Sequence, residues 1–234
     1  MGLLKFRFVG TKVCENAIHM GADVVSVSRS GRPSFTNGAG WANEVEWVRS
    51  DVTKEDGSWR DALKDATGVV STIGAFGTNA FMYKMCGEVN MNIIEAAKEA
   101  DVSRAAFISV HEYSFPAGWQ AHSFLLKGYF QGKRDVEKKL AEIYPDGGVA
   151  LRPGFIYGTR HAGGMKIPLG LAGVPMQTLL KPLPTKSLSN IPIIGAAFVP
   201  PVSVQSVGKA AASAILDSSI KAGIMDVWEI SKYN

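Results

Sequence analysis

Tyr129 and Lys133 stand four residues apart in the run Gly128-Tyr-Phe-Gln-Gly-Lys133, a spacing that puts a phenol and an ammonium on one face of a helix. Positive charge beside a phenol favours the phenolate and lowers its pKa. Such a tyrosine can hand a proton to a carbonyl oxygen, or take one from an alcohol, while a hydride moves at the carbon. The pair alone is a weak signal, because a core aromatic beside a solvated lysine has the same spacing. Its weight depends on where the surrounding elements put it.

Those elements alternate. Ala22 to Ser28 reads as a buried strand ending in the turn Arg29-Ser-Gly-Arg-Pro33, and Val45 to Val48 as a second, short strand. Ser58 to Asp61 has the spacing of a capping box and opens a short helix through Leu63, before a strand from Val69 to Ile73. Phe81, Met85, Val89, Ile93 and Ala97 recur at steps of four and predict a long helix from Ala80 to Ala100; Ala105 to Ser109 is the next strand. Leu125, Tyr129, Val136, Leu140 and Ile143 form the apolar stripe of a helix over 125–143, and Val149 to Leu151 is a further strand closed by Arg152-Pro153-Gly154. Strands alternating with helices favour a doubly wound parallel sheet covered on both faces, with ligands at the carboxyl ends of the strands. The Gly-, Pro- and aliphatic-rich stretch beyond it predicts a dinucleotide-binding domain over 1–160 and a small C-terminal substrate lobe over 161–234, in one folding unit. Ile167, Leu169, Val174, Ile191 and Phe198 are its candidate pocket residues, or else an ordinary core.

Composition narrows the classes. With 46% hydrophobic and 20% charged residues in 234, the chain is neither disordered, collagen-like nor a coiled coil. Its net charge of +4 is scattered, so nothing requires nucleic acid as a partner. Cys14 and Cys86 read as small buried hydrophobes, not a disulfide, and His19, His111, His122 and His161 lack metal-ligand spacing, so no metal is expected. No run approaches the roughly 18 apolar residues of a membrane span, and Met1 to Val9 is too short for a signal or transit peptide. Ser109, His111 and Glu112 have no Gly-x-Ser-x-Gly elbow, and as near neighbours they converge poorly as a hydrolase triad.

Four segments together carry a resemblance: Ser28-Arg-Ser-Gly-Arg-Pro33, Ile73-Gly-Ala-Phe-Gly77, Gly128 to Arg134, and Leu151-Arg-Pro-Gly-Phe-Ile-Tyr-Gly-Thr-Arg160. From Phe8 to Leu216 the chain resembles the atypical extended short-chain dehydrogenase/reductase superfamily, whose fold is of the Rossmann type. It is most similar to an organellar branch, which includes the nucleotide-binding accessory subunit of respiratory complex I, coenzyme Q biosynthesis-associated mitochondrial members and plant chloroplast relatives. The resemblance implies Tyr129 as proton donor and Lys133 as the residue that holds the nicotinamide ribose. It implies Asp51 at the adenine, Gly74 and Phe76 at the nicotinamide-side ribose, and Pro153 and Gly154 at the nicotinamide ring. Arg29 and Arg32 follow the strand where an acidic residue would grip an unphosphorylated ribose, which points to NADP, with NAD as the alternative; a solvated turn would look the same. Ser109 ends its strand where the family often has a serine, yet lies twenty residues before Tyr129, farther than the usual catalytic spacing.

The start departs from that pattern. Phe8-Val9-Gly10 matches only the end of Gly-x-x-Gly-x-x-Gly, with Arg7 at the middle glycine, before a helix from Thr11 to Met20. Glycine there allows the close approach of backbone to pyrophosphate. The expectation is a truncated or alternatively started chain, lacking its first, central strand and so leaving neighbouring strands unpaired. Two functions follow. One is an organellar NAD(P)H-dependent oxidoreductase acting on a small hydrophobic or quinone-like substrate, in coenzyme Q metabolism, with a mitochondrial location or alternatively a chloroplast one. The other is a non-catalytic nucleotide-binding assembly factor or accessory subunit of an organellar complex.

Overall fold

The computed structural model describes residues 8–54, 58–112, 125–162, 165–168, 170–191 and 194–234. Aliphatic and β-branched runs form β1 (Val24–Ser28), β2 (Val45–Arg49), β3 (Gly68–Ser71), β4 (Arg104–Ile108) and β5 (Gly148–Leu151). Two short ladders follow: β6 (Ile156–Tyr157) with β9 (Val202–Ser203) in parallel, and β7 (Thr159–Ala162) with β8 (Met165–Pro168) antiparallel. β10 (Gly223–Met225) returns to the main sheet, which runs β10-β5-β4-β3 and is parallel throughout. β1 and β2 make a separate parallel ladder, with Val24 opposite Val45 and Ser28 opposite Arg49.

Period-two alternation sends successive β4 side chains to opposite faces. On one face Ala106 and Ile108 pack with Val13 of α1 (Phe8–His19) and Val207, Ala211 and Ala214 of the C-terminal helix Val204–Leu216. On the other, Ala105 and Phe107 pack with Ile94, Val136 and Leu140. Those three come from the chain segment α2 (Asn79–Tyr83), a π-helical turn (Lys84–Glu88) and α3 (Val89–Glu99), and from α4 (Lys127–Ile143). The fold is therefore the doubly wound α/β sheet that the alternation predicts.

Several details differ from the sequence reading. β1 is half-buried, with Val25 43% exposed, because among the described residues it pairs only with β2. β3 likewise pairs only with β4. In the doubly wound order the strand ahead of α1 joins β1 to β3; residues 1–7, where that expectation falls, lie outside the described residues. Ser58–Leu63 is a 3-10 helix, and the helix expected over 80–100 is interrupted by its π turn. Leu125 is 71% exposed and precedes α4, so it is no part of the apolar stripe. The span 161–234 also does not stand apart as a lobe: Val204–Leu216 covers one sheet face and β10 extends the sheet, both burying apolar side chains in the main core. Cys14 and Cys86 are free, buried thiols, as their apolar settings predict.

Candidate functional site

Glycines decide how closely α4 sits on the segment before it. A Cβ on Gly128 would stand 1.9 Å from the Asn79 carbonyl oxygen, and one on Gly132 2.8 Å from the Gly87 nitrogen. The Asn79 side chain also accepts the Gly128 N–H, at 3.0 Å. Gly128 and Gly132 are one turn apart, each a single position before Tyr129 and Lys133. Seating this glycine edge turns the Tyr129–Lys133 edge toward the carboxyl ends of β3 and β4. The π turn, a bulge often found at functional sites, brings Cys86 and Gly87 into that contact, and the Asn90 amide donates to the Met85 carbonyl within it at 2.9 Å. Asn90 is itself fully buried and accepts from the Ser71 hydroxyl at 2.5 Å.

Lys133 is only 4% exposed. Its ammonium donates to the main-chain carbonyls of Ile108 (2.5 Å) and Ile73 (3.4 Å) and lies 4.4 Å from the centre of the Phe107 ring. An ammonium has three protons to donate, and the described residues take two. Burial pulls its pKa down from 10.5 to about 8, since desolvation penalises the charged form. The Tyr129 ring centre is 6.0 Å from the same nitrogen. Phe76, 57% exposed at the end of β3's loop, stacks on Tyr129 with centroids 5.0 Å apart and planes 18° from parallel. Gly74 faces both Lys133 and Cys86, since a Cβ there would meet Lys133 Nζ at 3.7 Å and Cys86 Sγ at 3.8 Å.

Ser109 is buried at the end of β4, and its hydroxyl donates to Glu137 Oε1 at 2.5 Å. Glu137, one turn beyond Lys133, also receives Arg152 Nε (2.9 Å) and Nη2 (2.6 Å) and Arg134 Nη1 (2.5 Å). These donors hold the Glu137 carboxyl below the usual carboxylate range despite burial, which acts the other way. Arg152 reaches on to Glu112 at 2.7 Å. Sequence reasoning missed this cluster. Its signal was the continued step of four, Tyr129, Lys133, Glu137, along one face of α4.

At the other end of the site, Arg29 is exposed just after β1; against slight desolvation, hydrogen bonds from the Thr53 N–H and hydroxyl, and after them the charges of Arg29 and Lys54, hold Asp51 below its ordinary pKa. β1 and β2 thus bring together two residues that the sequence separates. Arg32 is tied into its own loop, donating to Asn43 Oδ1 at 2.9 Å and to the Thr36 carbonyl at 3.4 Å. Its Nε is buried and has no partner among the described residues. Gly10, in the first turn of α1, lies so close to the β3 loop that a Cβ would stand 3.1 Å from Thr72 Oγ1. Pro153 is buried, and its carbonyl accepts the His111 N–H at 2.9 Å. The side of Gly154 that a Cβ would occupy is filled by Val199, Pro200 and Val227. The His111 ring meets Trp228 edge-on, and burial lowers its pKa. A separate cavity of about 330 Å³ lies beside α1, lined by Phe8, Phe35, Trp41 and neighbours.

Arg29 and Asp51 follow the carboxyl ends of β1 and β2, and Gly10, Gly74 and Lys133 lie at or against residues at the carboxyl ends of β3 and β4. A family profile described as NAD(P)H-binding matches residues 7–164. The chain belongs to this NAD(P)H-binding family. Over 227 residues it is 39% identical to an uncharacterized chloroplastic protein of Arabidopsis thaliana, covering 96% of this chain and 73% of that one. A 70-residue stretch, 29% of the chain and 25% of the relative, is 40% identical to MIOREX complex component 2 of Saccharomyces cerevisiae. Among solved structures, UDP-glucuronic acid 4-epimerase from Bacillus cereus, in complex with NAD, superposes with a TM-score of 0.59 at 15% identity, over 94% of this chain and 73% of that one. A likeness at that identity concerns the fold alone.

The residues present fit a dinucleotide. The partnerless Arg32 Nε can meet an anionic group, and Lys133 has one proton left to give among the described residues.

Proposed function

We propose that this protein is an organellar NAD(P)H-dependent reductase of a hydrophobic carbonyl or quinone-like substrate. The observation that carries this reading is the buried Lys133 ammonium, held by two main-chain carbonyls at the strand ends one turn from Tyr129. Bound nicotinamide supplies the hydride. Lys133 donates to ribose hydroxyls and keeps positive charge beside the phenol, and Tyr129 gives its proton to the substrate oxygen as the carbon is reduced. Arg29 and Arg32 Nε favour a 2′-phosphate, hence NADPH over NADH. Chloroplastic and mitochondrial relatives support an organellar location.

Titration calorimetry with NADPH and then NADH, followed by a reductase assay on short-chain quinones, tests the reading. We expect NADPH to bind more tightly, and Tyr129→Phe to lower turnover by about 100-fold or more while leaving NADPH affinity in place. A reductase activity that survives Tyr129→Phe overturns the chemistry.

One observation favours a second reading. The Ser109 hydroxyl is engaged by Glu137, and Phe76 lies over the Tyr129 ring, an arrangement suited to holding a nucleotide without turning it over. A nucleotide-binding accessory subunit or assembly factor would bind NADPH in the same titration and reduce nothing. The yeast relative's name, a component of a complex, supports this alternative.

A further inference from the structure

We propose that Asn37 is a self-modifying site, whose side-chain amide converts without a catalyst to a carboxylate in the loop that holds Arg32. Of the eight asparagines in the chain, only Asn37 is followed by glycine. An asparagine amide is attacked from within its own chain by the next residue's backbone nitrogen, and glycine, lacking a Cβ, obstructs that approach least. The fold leaves the reacting atoms open. Asn37 and Gly38 are exposed just after the 3-10 turn Ser34–Thr36. The Asn37 N–H donates to the Ser34 carbonyl at 3.2 Å and the Ala39 N–H to the Thr36 carbonyl at 3.1 Å. Between these two bonds, nothing among the described residues bonds the Asn37 carbonyl, its side-chain amide or the Gly38 N–H. A Cβ on Gly38, whose φ is +87°, would meet nothing within 4 Å. The peptide plane between the two residues, set by an Asn37 ψ of 127°, can therefore turn toward the side chain without breaking a bond. Other asparagines are held: the Asn16 amide donates to the Lys12 carbonyl at 2.7 Å, and Asn43 Oδ1 accepts from Arg32 at 2.9 Å.

The Gly38 nitrogen bonds to the Asn37 side-chain carbonyl carbon, and the amide nitrogen leaves as ammonia, taking the Gly38 N–H proton. The cyclic imide then adds water across one of its two carbonyl–nitrogen bonds. Opening at the side-chain carbonyl gives aspartate; opening at the main-chain carbonyl gives isoaspartate, with the backbone rerouted through the side chain. Water has replaced ammonia, no oxidant or cofactor is consumed, and one negative charge appears. The peptide just before Asn37 is the one whose carbonyl, on Thr36, accepts from Arg32 Nη2 at 3.4 Å. A carboxylate there competes with an incoming phosphate for the Arg32 guanidinium. This effect on ligand preference rests on the NADPH reading above; the conversion itself does not.

Peptide mapping of the folded full chain by mass spectrometry, after incubation at 37 °C at pH 6 and at pH 8, tests the site. We expect residue 37 to gain about one mass unit, at least tenfold faster at pH 8, because the attacking nitrogen must lose its proton. Asn43, which falls in the same tryptic peptide, should stay unchanged, and Asn37→Gln, which must close a larger ring, should react at least tenfold more slowly. An Asn37 that stays intact, or that converts no faster than Asn43, overturns the proposal. In calorimetry Asn37→Asp should bind NADPH about fivefold more weakly than wild type and NADH equally. Equal NADPH binding by the two proteins overturns the effect on ligand preference, whereas a wild-type chain with no preference for NADPH overturns the reading on which that effect rests.

Discussion

The two ends of the candidate site are built by opposite means. Around Tyr129 and Lys133, β4 from Ala105 onward and all of β5 are buried, and α4 is locked on Asn79 and Gly87 by glycine contacts. Around Arg29 and Asp51, β1 is half-buried and the loop after it is held by short-range bonds, such as Ser28 Oγ to the Gly31 carbonyl and Arg32 to Asn43. One end is positioned by long-range packing, which resists change in volume. The other is positioned by local hydrogen bonds, which any loop of the same composition can make for itself. Substitutions should therefore affect stability at the first end and ligand preference at the second.

The largest effect expected is at the tightest contact. Gly128→Ala drives a methyl into the Asn79 backbone and should cost more than about 3 kcal/mol in urea unfolding, or yield no soluble protein. Glu137→Gln should cost about 3 kcal/mol at pH 7, since it leaves Arg134 and Arg152 around an uncharged amide. The folded pKa of Glu137 is depressed, so its contribution is complete above its unfolded value of about 4.3 and disappears as pH falls through the lower folded value. Wild-type and variant midpoints should accordingly converge in acid.

Lys133→Met should act in the opposite direction. Because the folded pKa of Lys133 lies near 8, below the unfolded 10.5, the unfolded chain binds more protons between those values, and wild-type stability rises with pH across that window. The stability of the variant relative to wild type should fall as pH rises from about 8 to about 10.5, and the variant should bind NADPH more weakly. A stabilised variant with undiminished NADPH affinity would make Lys133 a core residue and remove the contrast between the two ends.

At the local end the effects are smaller. Arg29→Ala should weaken NADPH about fivefold in calorimetry and leave NADH nearly unchanged. Val25→Thr, on the exposed part of β1, should shift stability by no more than about 0.5 kcal/mol. A cost of several kcal/mol there would show that β1 is packed as firmly as β4.

Periodicity and turn chemistry made the parallel α/β class, the strand and helix positions to within a few residues and the burial of both cysteines legible in the chain, because these depend on neighbours in sequence. The Tyr129–Lys133 spacing was legible for the same reason. The Glu137 cluster was not, since Ser109, Glu137 and Arg152 come from three elements and only sheet pairing and helix docking bring them within hydrogen-bond reach. Nor was the return of residues 204–225 to the main core, where a helix and a strand look locally like any others. The depression of the Lys133 pKa is likewise a property of burial, which one ladder and two facing glycines create. The sequence by itself determined which residues could do chemistry and on which local elements they stand, because residues four apart in a helix must share a face. Only the tertiary structure decided that the lysine is desolvated and that the serine is committed to a carboxylate, because burial and partnership depend on what else folds against the chain.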